Sequence, residues 1–254
     1  MPWTERQHAM LQAMGLRVWG PPASGHGGGV AVPAPEPATP VAPTPPSAAS
    51  AAPTPPSDAA PAAAPGAGVA TLGWSPLREA VAACRACGLH VTRRQTVFGV
   101  GGEHAHWMVV GEAPGEQEDR QGEPFVGPAG RLLDQMLAAL GLTRDAAAEP
   151  DPARQVYIAN TLKCRPPGNR NPAPEELQRC EPFLQRQIAL VQPRIIVAMG
   201  RFAVQSLLRT GEAIGRLRGR VHSYAGVPLV VTYHPAYLLR NLPDKARAWQ
   251  DLCL

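Results

Sequence analysis

Apolar residues recur in two rhythms between residues 73 and 254. Short unbroken runs stand at 107–110 (W-M-V-V), 156–159 (V-Y-I-A), 195–199 (I-I-V-A-M) and 229–233 (L-V-V-T-Y). Runs of this length and β-branched content read as strands buried on both faces. Between them the spacing changes to that of a helix. Over 130–140, Leu132, Leu133, Met136, Leu137 and Leu140 share one side, and Gly141 stops the helix. The stretch 174–191 opens with Pro174 and places Glu175 and Glu176 in its first turn, as the helix dipole favours. Further helices are expected at 76–83, 202–208 and 243–252. Strands alternating with helices imply an α/β fold whose parallel sheet is covered on both faces. Ligands of such sheets bind outside the carboxyl ends of the strands. Three of those ends carry suggestive loops, at 111–119, 160–172 and 234–240.

Ahead of residue 73 the pattern fails. Residues 31–70 hold 12 of the 30 prolines, much alanine, and only Glu36 and Asp58 as charges. The block A-P-T-P-P-S stands at 42–47 and again at 52–57. Such a stretch cannot build a core, so 21–72 is expected to be a disordered Pro/Ala-rich linker. Before it, Thr4 and Gln7 have capping-box spacing, and Trp3, Gln7, Met10, Leu11 and Met14 fall on one side. A helix this short is marginal alone. Residues 1–20 are therefore expected to form a docking peptide that folds on a protein partner, with an inert tail as the alternative. Residues 73–254 suffice for one well-buried domain.

Setting the linker aside sharpens the charge. Residues 71–254 contain 22 of the 24 Lys and Arg but 17 of the 20 Asp and Glu, and 20 of those cations are Arg. Guanidinium groups suit phosphate, although a GC-rich genome also writes Arg for Lys. No charged region precedes a short apolar core, and no run of 18 apolar residues occurs. Neither a signal peptide nor a membrane span is expected, which points to the cytoplasm.

Five cysteines in such a chain argue for metal ligation or catalysis over disulfides. Cys84 and Cys87 form C-x2-C; Cys164 and Cys180 form C-x15-C. Four thiolates suit structural zinc or an iron–sulfur cluster. A redox pair at 84 and 87 beside two buried thiols is the alternative. Cys253 stands apart as a free thiol. The loop N-T-L-K-C-R-P-P-G-N-R-N-P at 160–172 joins several chemistries. Asn160, at a strand end, has an amide that can read a base edge or another amide-like ligand. Cys164 can pin it to a metal centre, and Arg165 and Arg170 can hold phosphate. Arg216, Arg218 and Arg220 alternate before a short hairpin turning at 225–226. Period two puts all three on one side of an extended segment. With Arg165, Arg170 and Arg240 they form a candidate DNA-tracking set.

Taken in order, C-R-A-C, G-E-A-P-G-E-Q-E-D, P-F-V-G-P-A-G, the 160–172 loop and H-P-A-Y-L-L-R resemble the motifs of family 4 uracil-DNA glycosylases, the prokaryotic iron–sulfur type. The likeness spans nearly all of 73–254. It implies a three-layer α/β/α fold with a four-stranded parallel sheet, and a [4Fe–4S] cluster on Cys84, Cys87, Cys164 and Cys180. It also implies a monomer acting on uracil in the DNA of a bacterial nucleoid.

The resemblance carries roles for individual residues. Phe125 would stack on the flipped uracil. Asn160 would accept from N3–H and donate to O4. His234 would stabilise charge developing near O2. Glu112, Ala113 and Pro114 would close the pocket. Other uracil glycosylases carry G-Q-D-P-Y where this chain has Ala113 and Gly115 at the Asp and Tyr positions. The water-positioning carboxylate then falls to Glu112 or Glu118, with a solvated acidic loop at Glu116, Glu118 and Asp119 as the bland alternative. Leu238 or Leu239 would wedge into the duplex or belong to the core. No lysine occupies a motif loop except Lys163, which reads as pointing away from a strand end, so water is the expected nucleophile. Two other readings stay open: a non-catalytic iron–sulfur DNA-binding module that recruits a partner, and a glycosylase for another deaminated base such as hypoxanthine.

Overall fold

The computed structural model describes residues 66–254. The expected docking peptide at 1–20 and most of the linker lie outside the described residues. The four apolar runs form the centre of one sheet. Its strands are β1 (Val100–Gly101), β2 (Trp107–Gly111), β3 (Val156–Asn160), β4 (Ile195–Met199), β5 (Val221–Tyr224) and β6 (Val227–Thr232), in the spatial order β1-β3-β2-β4-β6-β5. Strands β3, β2, β4 and β6 are parallel, while β1 and β5 pair antiparallel at the edges. The expected four-stranded sheet is thus corrected to six strands around a four-stranded parallel centre. The edge strands escaped the apolar pattern for a physical reason. β1 has two residues, one of them glycine, and β5 (V-H-S-Y) is open to solvent along one side. The β5–β6 hairpin turns at Ala225 and Gly226, both at positive φ, as a tight turn there requires.

Among the described residues six helices of 6 to 18 residues surround the sheet: α1 (Trp74–Ala82), α2 (Glu116–Gln121), α3 (Pro128–Ala139), α4 (Pro174–Val191), α5 (Arg201–Leu208) and α6 (Asp244–Leu252). Alternation along the strands divides the core. Val109, Ile158 and Val197 face α3 and α6, meeting Leu133, Met136 and Trp249. Met108, Val110, Ile196 and Ala198 face α4 and α5, meeting Leu184, Ile188 and Val204. A third apolar cluster sits beside the sheet, where Leu77 and Val81 of α1 pack with Phe98, Leu162 and Phe183 around Cys164 and Cys180. Val69, on the linker side of the boundary at 72–73, is buried in this cluster.

The order of the strands positions the site. From β2 the chain goes to β3 on one side, then from β3 to β4 on the other. The carboxyl ends of β2, β3 and β4 therefore open a crevice at the point where the winding reverses.

Candidate active site

That crevice is a cleft of about 870 Å³ whose lining includes Glu112, Phe125, Asn160, Arg201, His234 and Arg240. Its floor is built by close approaches. Asn160 ends β3 directly opposite Gly111 at the end of β2. A Cβ on Gly111 would lie 2.6 Å from Phe125 Cζ and would also strike Asn160 Oδ1. Glycine there lets the ring and the amide share one wall. Phe125 itself holds φ 56°, a conformation costly for an aromatic residue. Gly130 accommodates it, since a Cβ at that position would collide with the Phe125 carbonyl. Asn160 is 2% exposed, and its Oδ1 has no hydrogen-bond partner. A buried acceptor left open costs about 1–3 kcal/mol, so a side chain kept this way is poised for a ligand donor.

His234 completes the pocket. Its ring lies 5.4 Å from that of Phe125 and is inclined to it by 26°. It caps the helical turn Pro235–Leu238, with Nδ1 accepting from the Ala236 N–H at 3.2 Å. That bond places the proton on Nε2. Burial, aided by the nearby Arg240 charge, brings its pKa down to about 4. At neutral pH His234 is therefore an uncharged Nε2–H donor.

The two candidate carboxylates separate. Glu118 Oε2 accepts from Gly115 N–H at 3.1 Å, and Oε1 accepts from Val126 N–H at 3.1 Å and Gly127 N–H at 3.3 Å. Both oxygens are occupied in clamping the 111–115 loop to the loop that carries Phe125. Glu118 also lines the cleft, with part of its lone-pair capacity engaged in this clamp. The solvated-loop alternative holds for exposed Glu116 and not for Asp119. Asp119 is buried and accepts from Arg94 N–H, and Glu116 pairs with Arg120 and Arg165. Glu112 lines the same cleft. Burial pushes its pKa up, against the pull of Arg201.

Residues 98–253 match the uracil DNA glycosylase superfamily. The chain is 44% identical over 167 residues to the type-4 uracil-DNA glycosylase of Archaeoglobus fulgidus, spanning 63% of this chain and 79% of that protein. It is 44% identical over 174 residues to the type-4 enzyme of Sulfurisphaera tokodaii, covering 65% and 75%. Against that of Thermotoga maritima it is 42% identical over 171 residues, covering 66% and 84%. The chain belongs to the type-4 uracil-DNA glycosylase family.

In this type-4 chain the four spaced cysteines do meet. Cys84 and Cys87 follow α1, Cys164 follows β3 and Cys180 sits on α4, yet all four line one cavity. Among the described residues no three His, Cys, Asp or Glu side chains gather as a single ion would require. The four sulfurs around one cavity are nevertheless a donor set suited to a soft metal centre. Donors suited to thiolates are in place: Arg93 Nη1 lies 2.9 Å from Cys164 Sγ, and the Lys163 N–H lies 3.2 Å from Cys180 Sγ. Burial raises the pKa values of Cys87 and Cys164, and that of Cys180 to about 12, so without a cationic centre these groups are neutral thiols. Leu162 and Cys164 belong to the third core cluster.

The arginine set does not hold together. Arg216 belongs to the helical turn Ile214–Leu217, which ends the expected extended segment. Arg218 turns inward to fully buried Asp251, at 3.0 Å, because that carboxylate needs a counter-charge. Arg220 stays exposed, and neither it nor Arg216 lines the cleft. Arg170 and Arg240 do line it, Arg170 being paired with Glu176 at 2.5 Å. Arg165 donates to Asn169. Of the wedge candidates, Leu238 is fully buried and Leu239 is exposed. Ala113 and Pro114 line the cleft as expected. Arg201 was missed. The signal was available, since Met199-Gly200-Arg201 follows a fourth strand end that the reading passed over. Arg93 had no signal, because nothing local joins it to Cys164.

Proposed function

We propose that the chain hydrolyses the N-glycosidic bond of deoxyuridine in DNA, releasing uracil and leaving an abasic site. The observation that carries this reading is the orphaned Oδ1 of buried Asn160, walled by Phe125 and facing an uncharged histidine donor. A base inside the duplex cannot reach such a pocket, so the nucleotide must be flipped out of the stack. Phe125 then stacks on the ring. Asn160 Oδ1 accepts from N3–H while its amide donates to O4. Cytosine offers an acceptor at N3 and a donor at N4, so both contacts fail with it. As the C1′–N1 bond breaks, its electron pair passes to the base, and the negative charge spreads to O2. His234 Nε2–H donates there, and a neutral donor adds no proton that must later be removed. Water attacks C1′. Glu112, whose carboxylate burial makes more basic, orients that water and takes its proton. The exposed guanidiniums of Arg170, Arg201 and Arg240 rim the cleft where phosphates would pass.

Cys84, Cys87, Cys164 and Cys180 are the residues that would hold a [4Fe–4S] cluster. Bound there, it would cross-link three chain segments that include the residue four positions beyond Asn160. Among the described residues no helix is long and apolar enough to cross a membrane. Chromosomal DNA as substrate places the enzyme at the nucleoid, acting as a monomer. A non-catalytic DNA-binding role and excision of hypoxanthine remain the outcomes to exclude.

The test uses oligonucleotides carrying one U, T, C or hypoxanthine, with alkaline cleavage to reveal abasic sites. Cleavage at U alone, lost in Asn160→Asp, is the expected result. Binding without cleavage, or cleavage at U that Asn160→Asp leaves unchanged, overturns the reading. Stoichiometric iron with an absorbance band near 400 nm in anaerobically purified protein is expected; stoichiometric zinc would overturn the cluster assignment.

A further inference from the structure

Lys163, just beyond the end of β3, is one of the largest fully buried side chains, 1% exposed, between the base pocket and the sulfur site. Its Nζ donates to the Asn160 carbonyl at 2.8 Å and to Gln187 Oε1 at 2.6 Å. Its own N–H donates to Cys180 Sγ, and its carbonyl accepts from Val97 N–H at 2.8 Å. Gln187 is in turn fixed on α4, where its amide donates to the Phe98 carbonyl at 2.9 Å and to the Tyr157 hydroxyl at 3.1 Å. Both partners of its ammonium are neutral oxygens, and among the described residues no carboxylate pairs with it.

Stability does not account for this arrangement. A buried ammonium without a carboxylate is costly, and an apolar side chain of similar length would fill the space without that cost. The ammonium must be worth keeping for what it holds. On the other side of the 160–163 turn, Thr161 Oγ1 and Leu162 N–H both bond to the Glu112 carbonyl. The strand end that presents Asn160 is thus gripped from the cleft side by Glu112 and from the interior by Lys163.

We propose that Lys163 is a positioning residue for uracil recognition, tying the main chain of Asn160 to the sulfur site and to α4 and so setting the angle at which the Asn160 amide meets the base. This rests on the reading of Asn160 as the uracil reader. It gives the cysteine site a mechanical connection to base selection through one residue, whose N–H meets Cys180 and whose ammonium holds the Asn160 carbonyl.

The experiment is Lys163→Met in the full chain, purified anaerobically beside the parent and Asn160→Asp. Iron content and the band near 400 nm should match the parent, while the unfolding midpoint should fall modestly because two buried acceptors lose their donor. On a U-containing oligonucleotide kcat should fall about 10- to 100-fold, the scale of a misplaced recognition group, while KM changes little. Inhibition by free uracil should weaken, and the preference for U over C should narrow. Iron-loaded Lys163→Met with parental kcat overturns the proposal. So does a loss of activity that merely follows loss of iron, with the rate per iron preserved. If Lys163→Met does not fold, Gln187→Leu decides. It removes one acceptor of the ammonium and should lower kcat with the same split, whereas parental kcat would overturn the proposal. If Asn160→Asp keeps its selectivity, the pocket reading has failed; if only Asn160→Asp loses it, the Lys163 inference alone has failed.

Discussion

Replacing Gly111 by Ala tests the pocket without touching any group that contacts the base. The added Cβ would sit 2.6 Å from Phe125 Cζ and 2.8 Å from Cε2, and it would strike Asn160 Oδ1. Ordinary contact begins near 3.4 Å, so both groups must retreat by roughly 1 Å. Neither can do so freely. Phe125 is already at a left-handed φ with α3 packed on its carbonyl, and Asn160 ends a strand paired to β2. Overpacking of this kind costs about 1–3 kcal/mol of stability. In a domain of this size that lowers the unfolding midpoint by roughly 2–12 °C. The cost in rate should be larger than such a loss implies at 25 °C, where the protein remains folded. A displacement of about 1 Å in recognition groups costs on the order of 100-fold in kcat/KM. Uracil release from a U-containing oligonucleotide, measured in single turnover beside a thermal melt, separates the two effects. A folded Gly111→Ala protein with parental kcat/KM would show that Phe125 and Asn160 do not form the uracil slot.

Four further outcomes follow from the structure. His234, with its pKa lowered to about 4, stays uncharged across neutral pH; the kcat profile should show no inflection near 6.5, and one that vanishes in His234→Gln would refute the neutral-donor assignment. The same shift is linked to stability. The unfolded chain binds this proton below about 6.5 and the folded one only below about 4, so stability should fall as pH drops through that window, and less steeply in His234→Gln, by chemical denaturation. Glu118→Ala strips acceptors from three backbone amides and should cost about 1–3 kcal/mol in denaturant melts, while Glu118→Gln recovers part of it; full stability in Glu118→Ala would contradict the clamp. Arg218→Ala leaves the Asp251 carboxylate buried without its counter-charge and should cost about 3 kcal/mol, whereas Arg220→Ala should stay within about 0.5 kcal/mol; equal effects would return Arg218 to the surface.

The sequence by itself determined the elements and the order of the chemistry along them. The apolar runs at 107–110, 156–159, 195–199 and 229–233 became β2, β3, β4 and β6, and the helix expected over 174–191 has those bounds. These signals are local, because strand and helix periodicities are written in neighbours two to four residues apart. The motif loops and the cysteine spacing were legible for the same reason. Everything that depends on a partner distant in the chain was decided by tertiary structure. Glu118 and Glu112 look alike in the sequence, and only the approach of residues 126 and 127 occupies one and leaves the other open. Arg218 stood in a regular row with Arg216 and Arg220 until Asp251, 33 residues later, drew it inward. The burial of Lys163 was not legible because its acceptors include Gln187 on α4, 24 residues away. The tautomer of His234 follows from one turn of backbone, but its neutrality follows from burial beneath loops that meet only when β2, β3, β4 and β6 lie side by side. Polarity and period are properties of a segment; desolvation and charge pairing belong to the place where segments meet.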